Sequence, residues 1–248
     1  MSAFRSVEAA PKLYARTGGA LYLAIIGLGA FAEAVRSRLV APGDAASTAA
    51  RLGSAQALWR LGIGAELAGL VFTVVLAMIF YVLFRPVSRE VNLLATFLRL
   101  AGITVQAVAV MSLVAALAPL AAGAHAGAFD AAQSSALVSY SIEAHQAGFG
   151  LALLLFGTGF LCHGWLIYRS SFLPRTLGVL IVVAGLCYMA NSLALFLAPA
   201  LQDRLFPVIL LPPFIGELSL CLWLLVKGVD AERWTERWRA ARSGASVA

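Results

Sequence analysis

"WRLGIGAELAGLVFTVVLAMIFYVLF", residues 59–84, decides the fold class. Its charged residues are Arg60 at the start and Glu66 six residues on, and the stretch is otherwise almost wholly apolar. An α-helix crosses the hydrocarbon core of a bilayer with about 20 apolar residues. No water satisfies the backbone there, so a continuous apolar run of this length spans only as a helix. Transmembrane β-barrels instead use weakly alternating segments of ~10 residues.

The rest of the chain repeats the pattern. It is 61% apolar and 12% charged, with mean hydropathy +0.89. Soluble domains carry about 25% charged residues, so too little polar surface remains here for a water-soluble fold. We expect an all-α polytopic transmembrane bundle of six spans, near 17–36, 59–84, 93–122, 146–168, 176–198 and 206–226. Residues 1–16 then form an N-terminal segment, 17–228 the membrane domain and 229–248 a basic tail.

Basic residues set the orientation. Arg5, Lys12, Arg16, Arg85, Arg89, Arg169, Arg175, Lys227, Arg233, Arg237, Arg239 and Arg242 fall on the side of both termini. Arg36, Arg38, Arg51, Arg60 and Arg204 fall on the other, with Arg99 inside a span. The positive-inside rule places both termini in the cytoplasm, and the protein in the cytoplasmic (inner) membrane. The net charge of +6 comes from residues that flank apolar runs, so we exclude nucleic acid as a partner. A leader cleaved near Ala32 is the competing reading of the start, but the apolar stretch and its basic lead are long for a signal peptide. In the tail, Trp234 and Trp238 lie four residues apart on a short helix with arginines opposite, a pattern suited to a membrane surface.

The outer connections are longer. Asp44 is an expected N-cap for an Ala-rich helix that runs into the second span. The segment 121–146 reads as small, polar and partly helical. "YVLFRPVSREVNLLA" (81–95) and "WLIYRSSFLPRTLGVL" (165–180) echo one another, through common ancestry or merely through shared turn chemistry.

Ionisable residues inside a membrane cost about 2.5–3.5 kcal/mol each on insertion scales, so each calls for a partner, a cavity or a function. Glu33 and Arg36 close the first span one turn apart. Glu66 lies ~9 Å below the outer edge, Asn191 about 10 Å and Glu217 about 15 Å by helical rise. His145 opens the fourth span. We expect Glu33, Arg36, Glu66, His145, Asn191 and Glu217 to form one outer-half polar cluster that binds a ligand. Pro212 and Pro213 are expected to break or kink the sixth span beside Glu217. On the inner side Arg99 and His163 are candidates for a relay. Gly150, Gly157 and Gly164 recur every seven residues, a close-packing face.

Cys162, Cys187 and Cys221 lie in apolar runs without CxxC spacing, and the three histidines are scattered, so we expect no metal site and no cofactor. Walker, HExxH, GxSxG and dinucleotide motifs are absent from the sequence. Closely placed carboxylates suit the binding or transport of a small polar or cationic solute, or proton coupling. The alternatives are a membrane enzyme using a carboxylate as acid/base, and a sensor or accessory subunit acting through helix faces. Its partners would be the lipid bilayer, a small-molecule or proton ligand, and a second copy or another membrane protein.

Several stretches in order resemble the DUF4386 family of uncharacterised bacterial membrane proteins: "ARTGGALYLAIIGLGAFAEAVRSRLVAPGDAASTA", "LWRLGIGAEL", "YVLFRPVSREVNLLATFLRL", "FGTGFLCHGWLIYRSSFLPRTLGVLIVVAGLCYMANSLALFL" and "GELSLCLWLLVKG". The resemblance covers roughly 15–228. It implies a multi-pass helical domain and supplies no catalytic residues. It also implies an acid near position 191, where this chain has Asn191.

Overall fold

The computed structural model describes residues 10–120 and 129–243. In chain order these form α1 (Pro11–Leu39), α2 (Ala45–Ser54), α3 (Gln56–Phe84), α4 (Arg89–Ala115), α5 (Ala131–Arg169), α6 (Arg175–Leu197), α7 (Pro199–Leu205), α8 (Leu211–Val226) and α9 (Ala231–Ser243). Short 3-10 turns follow α4 at Ala118–Leu120 and precede α8 at Val208–Leu210. No strand occurs among the described residues. Six helical segments are long and apolar enough to cross a membrane, each overlapping one expected span, and the protein is a multi-pass membrane protein.

Local chemistry sets the boundaries. Asp44 caps α2 as expected, its carboxylate accepting from the Ser47 amide at 2.9 Å. Rather than flowing into the second span, α2 stops at Ala55, whose backbone leaves the helical region, and α3 starts directly after. The largest difference is α5, which begins at Ala131 rather than near 146. A reciprocal capping box between Asp130 and Gln133 starts it there. At 39 residues it is about 58 Å long, nearly twice the hydrocarbon thickness. Its early residues Val138 and Ile142 share a core with Ala49 and Leu52 of α2, so part of the connection between α4 and the fourth span is a packed helical roof. The remainder, 121–128 with His125, lies outside the described residues, as do Arg5 and 244–248.

Pro212 and Pro213 do not break the sixth span. They fall in the first turn of α8, where the missing N–H groups would be unpaired in any helix. From there α8 runs to Val226, so the backbone around Glu217 is ordinary helix.

The six long helices close into a ring in chain order, α1 on α3, α3 on α4, α4 on α5, α5 on α6, α6 on α8, and α8 back on α1. Two glycine pairs set the α5–α6 approach: a Cβ on Gly157 would lie 2.7 Å from the Gly185 carbonyl, and one on Gly164 would lie 2.7 Å from that of Gly178. The seam between α1 and α8 is tied by Arg16 donating to the Val226 carbonyl at 2.8 Å. Both ends of the membrane domain therefore meet at one end of the ring.

That same end is covered by α9. Trp234 is fully buried, joins Phe84 and Phe172 in the core, and donates its indole N–H to the Leu83 carbonyl at 3.0 Å. Trp238 stacks on Trp234 at 5.4 Å. Arg233 and Arg237 donate to the carbonyls of Ser171 and Arg169, near the carboxyl end of α5, where cations complement the helix dipole. The tail expected to lie on a membrane surface is, over 231–243, a docked helix with Trp234 turned into the protein.

Candidate functional site

The expected single cluster is two clusters. The first lies at the end of the ring away from α9. Arg36, near the end of α1, donates from Nε and Nη2 to Glu33 Oε2, at 3.3 and 2.7 Å. Its Nη1 donates to Glu66 Oε1 on α3. Gly62, one turn before Glu66, lets α1 approach: a Cβ there would lie 3.2 Å from Val35. His145 of α5 completes the group, with Nε2 3.8 Å from Glu66 Oε1. The Glu33 side chain is 63% exposed and forms the rim, whereas that of Glu66 is 6% exposed.

Two features of this cluster are chemically incomplete. His145 Nδ1 lies 3.2 Å from the Ala109 carbonyl, which can only accept, so Nδ1 carries a proton. In the neutral ring Nε2 is then an acceptor, and it faces another acceptor in Glu66 Oε1. Meanwhile Glu66 Oε2 is buried without a hydrogen-bond partner. Two carboxylates stand against one guanidinium. The cluster is short of donors and short of positive charge.

The second cluster lies on the ring axis. Glu217 of α8 accepts from Tyr22 of α1 at 2.7 Å on Oε2, and from Tyr188 of α6 on Oε1. Tyr22 packs edge-on against Phe80 of α3 at 6.2 Å. Phe80 covers the Arg99 guanidinium of α4 at 5.4 Å, and Phe160 of α5 covers it at 5.6 Å. Phe160 in turn contacts Tyr188 at 5.7 Å. The contacts close a belt of six side chains, one from each long helix, in the order of the helices around the ring. Glu217 and Arg99 stand at opposite points of it.

Tyr22 and Arg36 are fourteen residues apart on α1, which separates the two layers by about 21 Å of helix. Leu70, one turn inward from Glu66, and Ile103, one turn outward from Arg99, belong to the apolar packing between them. Glu217 thus does not join Glu66. Asn191, buried with Oδ1 unpartnered, lies one turn beyond Tyr188 on α6, on the edge of the axial layer away from α9. His163 donates from Nδ1 to the Gly159 carbonyl of its own helix at 3.1 Å and packs on Phe80 and Phe84. Among the described residues it meets no carboxylate.

Tyr22, Tyr188, Phe80 and Phe160 are not among the site residues singled out from the sequence. The signal was present: a tyrosine hydroxyl inside an apolar span needs an acceptor, and Glu217 is the carboxylate that the sequence places deepest in its span. No group of histidine, cysteine, aspartate and glutamate suited to a metal ion occurs among the described residues.

The model of a domain of unknown function, DUF4386, matches residues 17–228. A curated relative, described as an uncharacterized protein of Archaeoglobus fulgidus, is 23% identical over 159 residues, 64% of this chain and 78% of its own length. No solved structure matches. The family match spans all six membrane helices and both polar layers, and the chain belongs to the DUF4386 family.

Proposed function

We propose that the Glu33–Arg36–Glu66–His145 cluster binds a proton or a small monovalent cation, and that the protein works as a solute-binding or proton-coupled carrier of the cytoplasmic membrane. The observation that carries this reading is Glu66: one oxygen holds Arg36 and faces His145 Nε2, and the other is buried with no partner. A buried carboxylate oxygen left unpaired costs stability unless something brings it a donor. A proton shared between Glu66 and His145 does so, and so does an ammonium-type or other monovalent cation. Either balances the excess of one negative charge.

The basic residues support an orientation. Arg16, Arg85, Arg169, Arg175 and the arginines of α9 gather at one end, and under the positive-inside rule that end faces the cytoplasm. The cluster then opens outward, with Glu33 at its mouth.

The test is thermal unfolding of the detergent-purified chain in sodium, potassium and ammonium chloride, each against choline chloride, together with proton release on binding. We expect a saturable rise in Tm or a measurable proton exchange in wild type, absent from Glu66→Gln and reduced in His145→Gln. Identical responses in wild type and Glu66→Gln would overturn the proposal.

A further inference from the structure

We infer that the axial belt is a second binding site, independent of the outer one, that takes a small carboxylate-bearing solute on Arg99. Arg99 is 6% exposed, inside a candidate span. Among the described residues its guanidinium makes no hydrogen bond and no ion pair. Its contacts are the faces of Phe80 and Phe160, which stabilise the charge and use none of its five N–H donors. The guanidinium nitrogens are not among the fully buried unpartnered atoms, so they border accessible space inside the bundle, and a cation held in a span without a counter-charge is costly.

Glu217 does not supply that pairing. It lies beyond ion-pair distance of Arg99, and its two oxygens are engaged by the hydroxyls of Tyr22 and Tyr188. The tyrosines hold the carboxylate on the far side of the axis. The belt therefore presents a fork of donors at one point, a fixed carboxylate opposite, and aromatic side chains between. A planar carboxylate matches the guanidinium fork in two parallel hydrogen bonds. A solute that also carries an ammonium group would place it toward Glu217 and the tyrosine rings. Water alone satisfies the donors but leaves the charge unmatched at contact.

The ring geometry adds a reason for a site here. Every long helix contributes one member of the belt, so a solute bound between Arg99 and Glu217 touches the whole bundle. Its binding energy can then bias how the helices sit against one another.

The test uses the full chain in neutral detergent, with acetate, glycine and ethylamine as probes at constant ionic strength. For one site, a probe at 100 times its Kd lowers the unfolding equilibrium constant about 100-fold, read as a rise in Tm. We expect saturable stabilisation by acetate, glycine or both, none by ethylamine, and loss of the response in Arg99→Gln. Stabilisation by glycine alone assigns the ammonium end to Glu217; stabilisation by both assigns recognition to Arg99 alone. The Glu66→Gln variant keeps the response, which separates this site from the outer one. If Arg99→Gln does not fold, bromide soaked into wild-type crystals gives the answer, with anomalous density expected at the guanidinium. No carboxylate-dependent shift in wild type, a shift undiminished in Arg99→Gln, or bromide found only elsewhere would overturn the inference.

Discussion

Replacing Arg36 by Gln tests the outer cluster through stability. Arg36 holds two carboxylates of opposite exposure. Its pair with Glu33 is largely solvated, and exposed pairs contribute about 0.2–1 kcal/mol. Its pair with Glu66 is buried, and removing one member of a buried pair costs about 3–5 kcal/mol, because the other charge is stranded. Arg36→Gln should therefore cost about 3–5 kcal/mol, and Glu33→Gln less than about 1. The double variant Arg36→Gln/Glu66→Gln should recover most of the loss, since two neutral amides strand nothing. Equilibrium unfolding in mixed detergent micelles across this double-mutant cycle gives the coupling directly. Additive losses, or an Arg36→Gln variant as stable as wild type, would refute the reasoning that Glu66 is the buried partner of Arg36.

Gly157→Leu pushes a side chain into the Gly185 carbonyl and Met189 and should cost about 1–3 kcal/mol or more, whereas Gly69→Leu, with open space at its Cβ, should be nearly neutral in the same unfolding assay. Trp234→Ala should cost about 3–5 kcal/mol by emptying a fully buried indole site, and tryptic cleavage within α9 should accelerate; Trp234→Phe, which loses mainly the bond to Leu83, should cost about 1. Asp44 gives a pH dependence outside the membrane. The Ser47 hydroxyl and amide hold its carboxyl below the usual carboxylate range. Its capping contribution is therefore present above the unfolded value of about 3.9 and is lost as pH falls through the lower folded value. Amide exchange in α2 should rise over that acid window, and Asp44→Ala should show the raised exchange at every pH.

Much of the fold was legible because membrane physics leaves few options. Each apolar run had to be a helix, and the seven-residue glycine spacing on α5 marked the face that meets α6. What composition could not carry was the partner across the bundle. Glu66 and Glu217 look alike in sequence, yet one pairs with arginine near the surface and the other with two tyrosines on the axis. Depth counted from the nearest loop put them in one layer, because the ends of the helices are staggered: α5 starts far ahead of its apolar core, and α8 starts only after the short helix α7 and one 3-10 turn. Pro212 and Pro213 misled for a related reason. A proline pair signals a break only in a helix interior, and whether it is interior depends on where the helix starts. Trp234 and Trp238 show the same limit: four-residue spacing defines a face, and packing decides what that face meets.

The claim that matters most is that Glu66 exchanges a proton or gains a cation. Infrared difference spectroscopy of the purified chain reads this at the carboxyl group itself. Spectra taken across pH, and with and without ammonium, should show a carboxylic-acid band interchanging with a carboxylate band, and one component of that change should be missing from Glu66→Gln while present in Glu33→Gln. A difference spectrum identical in wild type and Glu66→Gln would contradict the account.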